Sequence, residues 1–334
     1  MSKVGGGRNY GYGKNMNWAG KNALKDRYGE GHYGTVAAHQ ERWRCFVQFL
    51  KCECETKDAR DITNAHIEQY GQYLKQQVTS GSMKVAYAQN LLSSVNVVLS
   101  VLRSDKQLTV SPSQLVGERT VVRSQCPVTL TQVTGTDAGT DTSKPTTVQN
   151  GQLNQAICYL QSKGEHRIRL TAALCRTFGL RFKEASLLNI ASALKQARTK
   201  GKINITAGTK GGRGKHADRW VPVTEKGNTL LTKAYKVLGN NNLIPEQNNY
   251  IQWRNHAYSQ WRLATANTDI KGFHDLRAAY ACERYQQITG SPAPVVTGER
   301  IATKAQDLQA RIIIALELGH NRSNVLVAYV GSAK

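Results

Sequence analysis

The residues that could do chemistry lie in the second half of the chain, in four short stretches. GLRFKEASLLN sets Arg181 after a Gly-Leu pair, with Glu184 three residues on. GTKGGRGKHAD carries Lys210. GFHDLRAAYA separates His274 and Arg277 by three residues, which on a helix is one turn of the same face. ELGHNRSNVLVAYVG places Tyr329 nine residues after His320. A guanidinium is planar, permanently charged and bidentate toward phosphate oxygens, so Arg181 and Arg277 suit the charge that develops when a phosphodiester is displaced. Imidazoles ionise near neutrality, so His274 and His320 can donate to the same oxygens or move a proton. Each residue also has a plainer reading. Arg181 and Glu184 could be a surface ion pair, His274 a cap histidine and Arg277 an ordinary phosphate clamp. Lys210 could be one of several solvated charges, with Lys215 its competitor, and Tyr329 a packing aromatic.

These stretches need elements to hold them. Upstream, Val36, Trp43, Val47 and Leu50 share one helical face, and Ile67, Tyr70, Leu74 and Val78 another, with Thr63 as its N-cap. A third helix runs from Ser82 to Leu102 through Val85, Leu92, Val95 and Leu99, and a short fourth lies near Gln114. The second half opens with a helix over 147–161, marked by Leu153, Ala156, Ile157 and Leu160, and breaks tightly at Phe178–Gly179. The period then drops from 3.6 to 2. Lys202 to Thr206 and Arg219 to Val223 read as two strands around a Gly-rich basic tip. Helices resume near Asn248.

Length and charge bound the partners. The 334 residues suffice for about two domains. Lys plus Arg number 45 against 23 Asp plus Glu, a net charge of +22 that calls for a polyanion. Residues 1–125 carry net +7, residues 126–150 net −1, and residues 151–334 net +16. The middle segment holds eight Thr and no aromatic residue, and reads as a linker. Residues 1–34 hold nine Gly among scattered Tyr, Lys and Arg, and read as a flexible basic arm. No run reaches the ~18 apolar residues of a membrane span, and no secretory signal opens the chain. Seven cysteines, an odd number, fit reduced thiols.

In this order the motifs resemble the tyrosine recombinases, the phage-integrase family of DNA strand transferases. That family joins an Arg in a G-x-R-x-x-E context, a hairpin Lys, H-x-x-R, L-G-H and a nucleophilic Tyr. The resemblance implies a mainly α fold with a small antiparallel sheet: a core-binding helical domain over 35–125, a linker over 126–150 and an α+β catalytic domain over 151–334. It implies Arg181, Lys210, His274, Arg277, His320 and Tyr329 as catalytic residues, with Glu184 orienting them. Tyr329 would form a 3′-phosphotyrosyl bond and Lys210 would protonate the leaving 5′-oxygen, with no metal and no cofactor. The implied partners are double-stranded DNA at attachment sites, three further copies in a homotetramer on that DNA, and an accessory DNA-bending or directionality protein, but no membrane. The implied location is cytoplasmic and nucleoid-associated, and the implied role is integration or excision of a mobile element. A type IB topoisomerase would use the same constellation, and a non-catalytic DNA-binding protein would share the charge. The interval from Arg277 to His320 exceeds the family's, and the excess at 288–304 reads as a loop between helices.

Overall fold

The computed structural model describes residues 7–126, 143–210 and 217–332, with the backbone alone for 143–150. Its contacts divide the chain into two units, Met1–Thr120 and Val121–Lys334.

The first unit is helical: α1 (Met16–Tyr28), α2 (Tyr33–Glu53), α3 (Asn64–Thr79), α4 (Val85–Arg103) and α5 (Pro112–Val116). The anticipated apolar faces meet in its core, where Trp43, Val47, Leu50, Ile67, Tyr70, Leu74, Leu92, Val95 and Leu99 are buried. Thr63 caps α3 reciprocally with His66. Helix α4 is long and apolar enough to cross a membrane by length and composition, but Leu91, Leu92, Val95, Val98, Leu99 and Leu102 are buried in this core.

The reading of residues 1–34 as a flexible arm does not hold for the described part. Asn15 caps α1 through its side chain, and Met16, Ala19, Ala23 and Leu24 are buried. The indole of Trp43 donates to the Met16 carbonyl at 2.9 Å. Small residues let α1 approach α2 closely, so a Gly- and Ala-rich stretch that looks too poor in large apolar side chains still packs.

The second unit holds α6 (Ser143–Ser162), α7 (His166–Phe178), α8 (Phe182–Ser186), α9 (Ile190–Lys200), β1 (Lys202–Asn204), β2 (Trp220–Pro222), α10 (Glu225–Leu238), α11 (Tyr250–Ala264), α12 (Phe273–Thr289), α13 (Pro294–Thr297), α14 (Lys304–Glu317) and α15 (Val327–Val330). The strands pair antiparallel with Ile203 opposite Val221, both buried. Of the expected linker over 126–150, residues 127–142 lie outside the described residues, and Ser143–Asn150 begin α6. Residues 121–126 fold with this second unit.

The stretch over 288–304 also differs from the loop anticipated there. It contains α13, and Ala293, Pro294 and Ala302 are buried. Its Val295 lies beneath Gly331, so the stretch supports the chain just beyond Tyr329. The Arg311 guanidinium, paired with Asp307 at 2.9 Å, donates to the carbonyls of Gly331 and Ser332. The segment after Tyr329 is thereby fastened within its own unit.

Candidate active site

Four local structures bring the motif residues together. Helix α7 ends at Gly179, whose φ of 62° is left-handed. A Cβ there would also strike the Tyr280 ring and Leu318, so this turn requires glycine. Arg181 follows as the N-cap of the short α8, and its backbone N–H donates to Glu184 Oε2 at 2.7 Å. Gly208, with φ of 72°, lays the hairpin against the Lys183 carbonyl, where a Cβ would come within 2.7 Å. Lys210, two residues on, therefore lines the same open pocket as Arg181, Thr209, Arg219 and His320. Lys215, its competitor, lies outside the described residues. The third local structure is the start of α12, where Asp275 accepts from the backbone N–H groups of Lys271 and Gly272. That cap sets His274 and Arg277 on the first turns. The fourth is the chain from Leu318 to α15, which carries His320 and Tyr329.

All six catalytic candidates and Glu184 lie in this one region. Glu184 is fully buried and faces three guanidiniums, with Arg181 at 2.6 Å, Arg219 at 2.8 Å and Arg277 at 3.7 Å. Burial alone pushes its carboxyl up, but the charges of Arg219, Arg277 and Arg181 outweigh that and hold its pKa below the ordinary value. Arg277 is also fully buried and donates to the carbonyls of Gly179 and Leu318. Desolvation brings its pKa down to about 10, opposed chiefly by the Tyr329 hydroxyl. It stays cationic at neutral pH.

Tyr329 is 5 % exposed, and its hydroxyl lies 3.2 Å from His320 Nε2 and 3.4 Å from Arg277 Nε. The His274 ring tilts against it at 5.1 Å between centroids. Desolvation, with Arg277 next, lowers both imidazoles to about 4, so they are neutral at physiological pH. A neutral His320 can accept the tyrosine's proton. The guanidiniums nearby can hold negative oxygens, and Lys210 at the pocket edge can supply a proton. The arrangement is therefore competent for a displacement at phosphorus with tyrosine as nucleophile.

Sequence reasoning missed Arg219. It is 5 % exposed, donates from Nε to the Glu317 carbonyl at 2.7 Å, and ties the hairpin to both Glu184 and the His320 turn. Its Nη2 has no hydrogen-bond partner among the described residues. The one signal in the sequence was a cation at the first position of a buried strand.

Residues 133–283 match the family model described as Integrase, a span that includes Arg181, Lys210, His274 and Arg277 but stops short of His320 and Tyr329. Among solved structures the chain is similar to the Tn1549 transposon integrase in complex with transposon right end DNA, with a TM-score of 0.57, 10% identity and 94% of each chain covered. It is also similar to the XerH site-specific recombinase bound to palindromic difH substrate, with a TM-score of 0.53, 15% identity, and 93% of this chain and 80% of that one covered. No curated protein matches the chain in sequence.

Proposed function

We propose that this chain belongs to the tyrosine recombinase (integrase) family and cuts and rejoins double-stranded DNA at specific sites through a 3′-phosphotyrosyl intermediate. One observation carries the reading. The Tyr329 hydroxyl lies within reach of a neutral imidazole and a buried guanidinium, beside a pocket edged by Arg181 and Lys210. Tyr329 Oη attacks phosphorus as the bond from phosphorus to O5′ breaks. His320 Nε2 takes the hydroxyl proton. Arg181, on the open side, binds the non-bridging oxygens, and Arg277 supplies fixed positive charge beneath them. Lys210 gives a proton to the departing 5′-oxygen. The product keeps a phosphodiester-like bond to tyrosine, so a 5′-hydroxyl from another strand can reverse the step without an energy source.

A strand exchange of this kind serves the integration or excision of a mobile element, with copies of the chain assembled as a tetramer on paired sites. The assay uses nicked duplexes tiling the DNA on either side of the chain's own coding sequence, in which the cleaved fragment diffuses away and traps the covalent state. The wild-type chain is expected to give a detergent-resistant protein–DNA adduct. Tyr329→Phe should bind the same duplex and give none. Adduct at normal yield from Tyr329→Phe would sink the assignment.

A further inference from the structure

Arg123 lies outside every motif and outside the matched family span, yet it makes a dense set of contacts beneath the nucleophile. Its backbone N–H donates to the Val327 carbonyl at 2.8 Å, and its Nε donates to the Ala328 carbonyl at 3.1 Å. Its Nη1 pairs with Asp275 Oδ1 at 3.0 Å and also donates to the Gln125 carbonyl. Val327 and Ala328 are the two residues before Tyr329, and Asp275 directly follows His274. The other oxygen of Asp275 caps α12 through Lys271 and Gly272. One guanidinium therefore joins the turn that carries Tyr329 to the helix start that carries His274. The pair is mostly buried, with 16 % and 11 % of the side chains exposed, so solvent screens it little.

A four-residue helix has too few internal hydrogen bonds to hold its own orientation. α15 is of that kind, so the carbonyls that precede Tyr329 need external donors. Arg123 supplies them on one side, as Arg311 does beyond Gly331. The two clamps differ in origin. Both belong to the second unit, but Arg311 comes from α14 whereas Arg123 lies at that unit's very start, three residues past Thr120.

Resting on the reading of Tyr329 as nucleophile, we propose that Arg123 is a positioning residue for strand cleavage. It fixes the hydroxyl of Tyr329 in line with its proton acceptor, and it does so from the stretch of chain that follows the N-terminal unit. It touches neither the phosphate nor the reacting oxygen, so its loss alters the rate of attack and leaves DNA affinity alone. Misplacing a nucleophile by about 1 Å costs roughly 100-fold in rate, and loss of one of two clamps should cost ~10- to 100-fold.

The test uses the full chain and the nicked duplex recovered with the wild-type protein. Adduct formation is timed under single turnover, and affinity is measured on the intact duplex. Arg123→Ala should form adduct ~10- to 100-fold more slowly with Kd unchanged. Arg123→Lys, which keeps one charge but reaches only one of the two partners, should recover part of the loss. A 5′-bridging phosphorothiolate should not rescue Arg123→Ala, because the defect lies in attack and not in the leaving group. Adduct at the wild-type rate, or faster, overturns the proposal. So does a slowing matched by an equal loss of affinity. If Arg123→Ala does not fold, Arg123→Lys carries the test, and equal rates for it and the wild type overturn the proposal. Absence of adduct from the wild-type chain would instead count against the parent reading.

Discussion

Replacing Glu184 by glutamine tests the electrostatic account of the site more sharply than replacing any cation. The carboxylate is fully buried and neutralises part of a cluster of three guanidiniums, of which Arg277 is fully buried and Arg219 nearly so. Glu184→Gln keeps the size and one acceptor for the Arg181 N–H, and removes only the charge. Three like charges are then left in low dielectric. Breaking a buried ion pair by removing one partner costs about 3–5 kcal/mol. The Arg181 share falls at the low end, since a quarter of its side chain meets solvent. For a unit of roughly 200 residues each kcal/mol moves Tm by about 2–4 °C, so the expected drop is about 6–20 °C. Thermal unfolding by calorimetry measures it. Because the unpaired cluster attracts anions, millimolar sulfate should raise the Tm of Glu184→Gln more than that of the wild type. A Tm within 2 °C of wild type, with no extra response to sulfate, would refute the claim that this carboxylate is the site's counter-charge.

Further expected outcomes concern proton transfer. If Lys210 protonates the leaving oxygen, Lys210→Ala should slow cleavage of ordinary DNA but cut a 5′-bridging phosphorothiolate at nearly the wild-type rate, whereas Arg181→Ala should stay slow on both. Rescue of Lys215→Ala in place of Lys210→Ala would move the role to the other lysine. His274 and His320 have folded pKa values lowered to about 4, so the unfolded chain binds protons that the folded chain refuses. Stability from this source is complete above about pH 6.5 and is lost progressively as the pH falls toward 4. Denaturant midpoints of the second unit should therefore drop between pH 7 and pH 5, and the double variant His274→Gln/His320→Gln should flatten that slope. His274, the more exposed of the two, should contribute the smaller part. Identical slopes for wild type and double variant would overturn it.

Much of the fold was legible because its signals are local. Val36, Trp43, Val47 and Leu50 needed only a helical period to be placed in a core, and each is buried. The break at Gly179 needed only a glycine after an apolar run, and the strands expected over 202–206 and 219–223, observed as Lys202–Asn204 and Trp220–Pro222, needed only the change of period. The H-x-x-R spacing is likewise local, since one turn of α12 sets His274 and Arg277 together. α1 was missed because its packing relies on close approach of small residues, which hydropathy does not register. Arg219 and Arg123 were missed for a different reason. Their partners are Glu317, 98 residues away, and Ala328, 205 residues away, and nothing in either neighbourhood announces them.

Glu184 illustrates what separates the two kinds of information. Spacing pairs it with Arg181 at i,i+3, which gives it one partner and makes it an orienting residue at most. Packing adds Arg219 from the hairpin and Arg277 from α12, Arg219 held by its Nε on the Glu317 carbonyl and Arg277 by its Nη1 and Nη2 on the carbonyls of Gly179 and Leu318. The carboxylate therefore does more than orient one side chain. It brings three cations to one point, and their positive charge is only partly cancelled; under the proposed function a DNA phosphate supplies the rest. For that reason the cost of removing Glu184 should appear first in the free protein and shrink once DNA is bound.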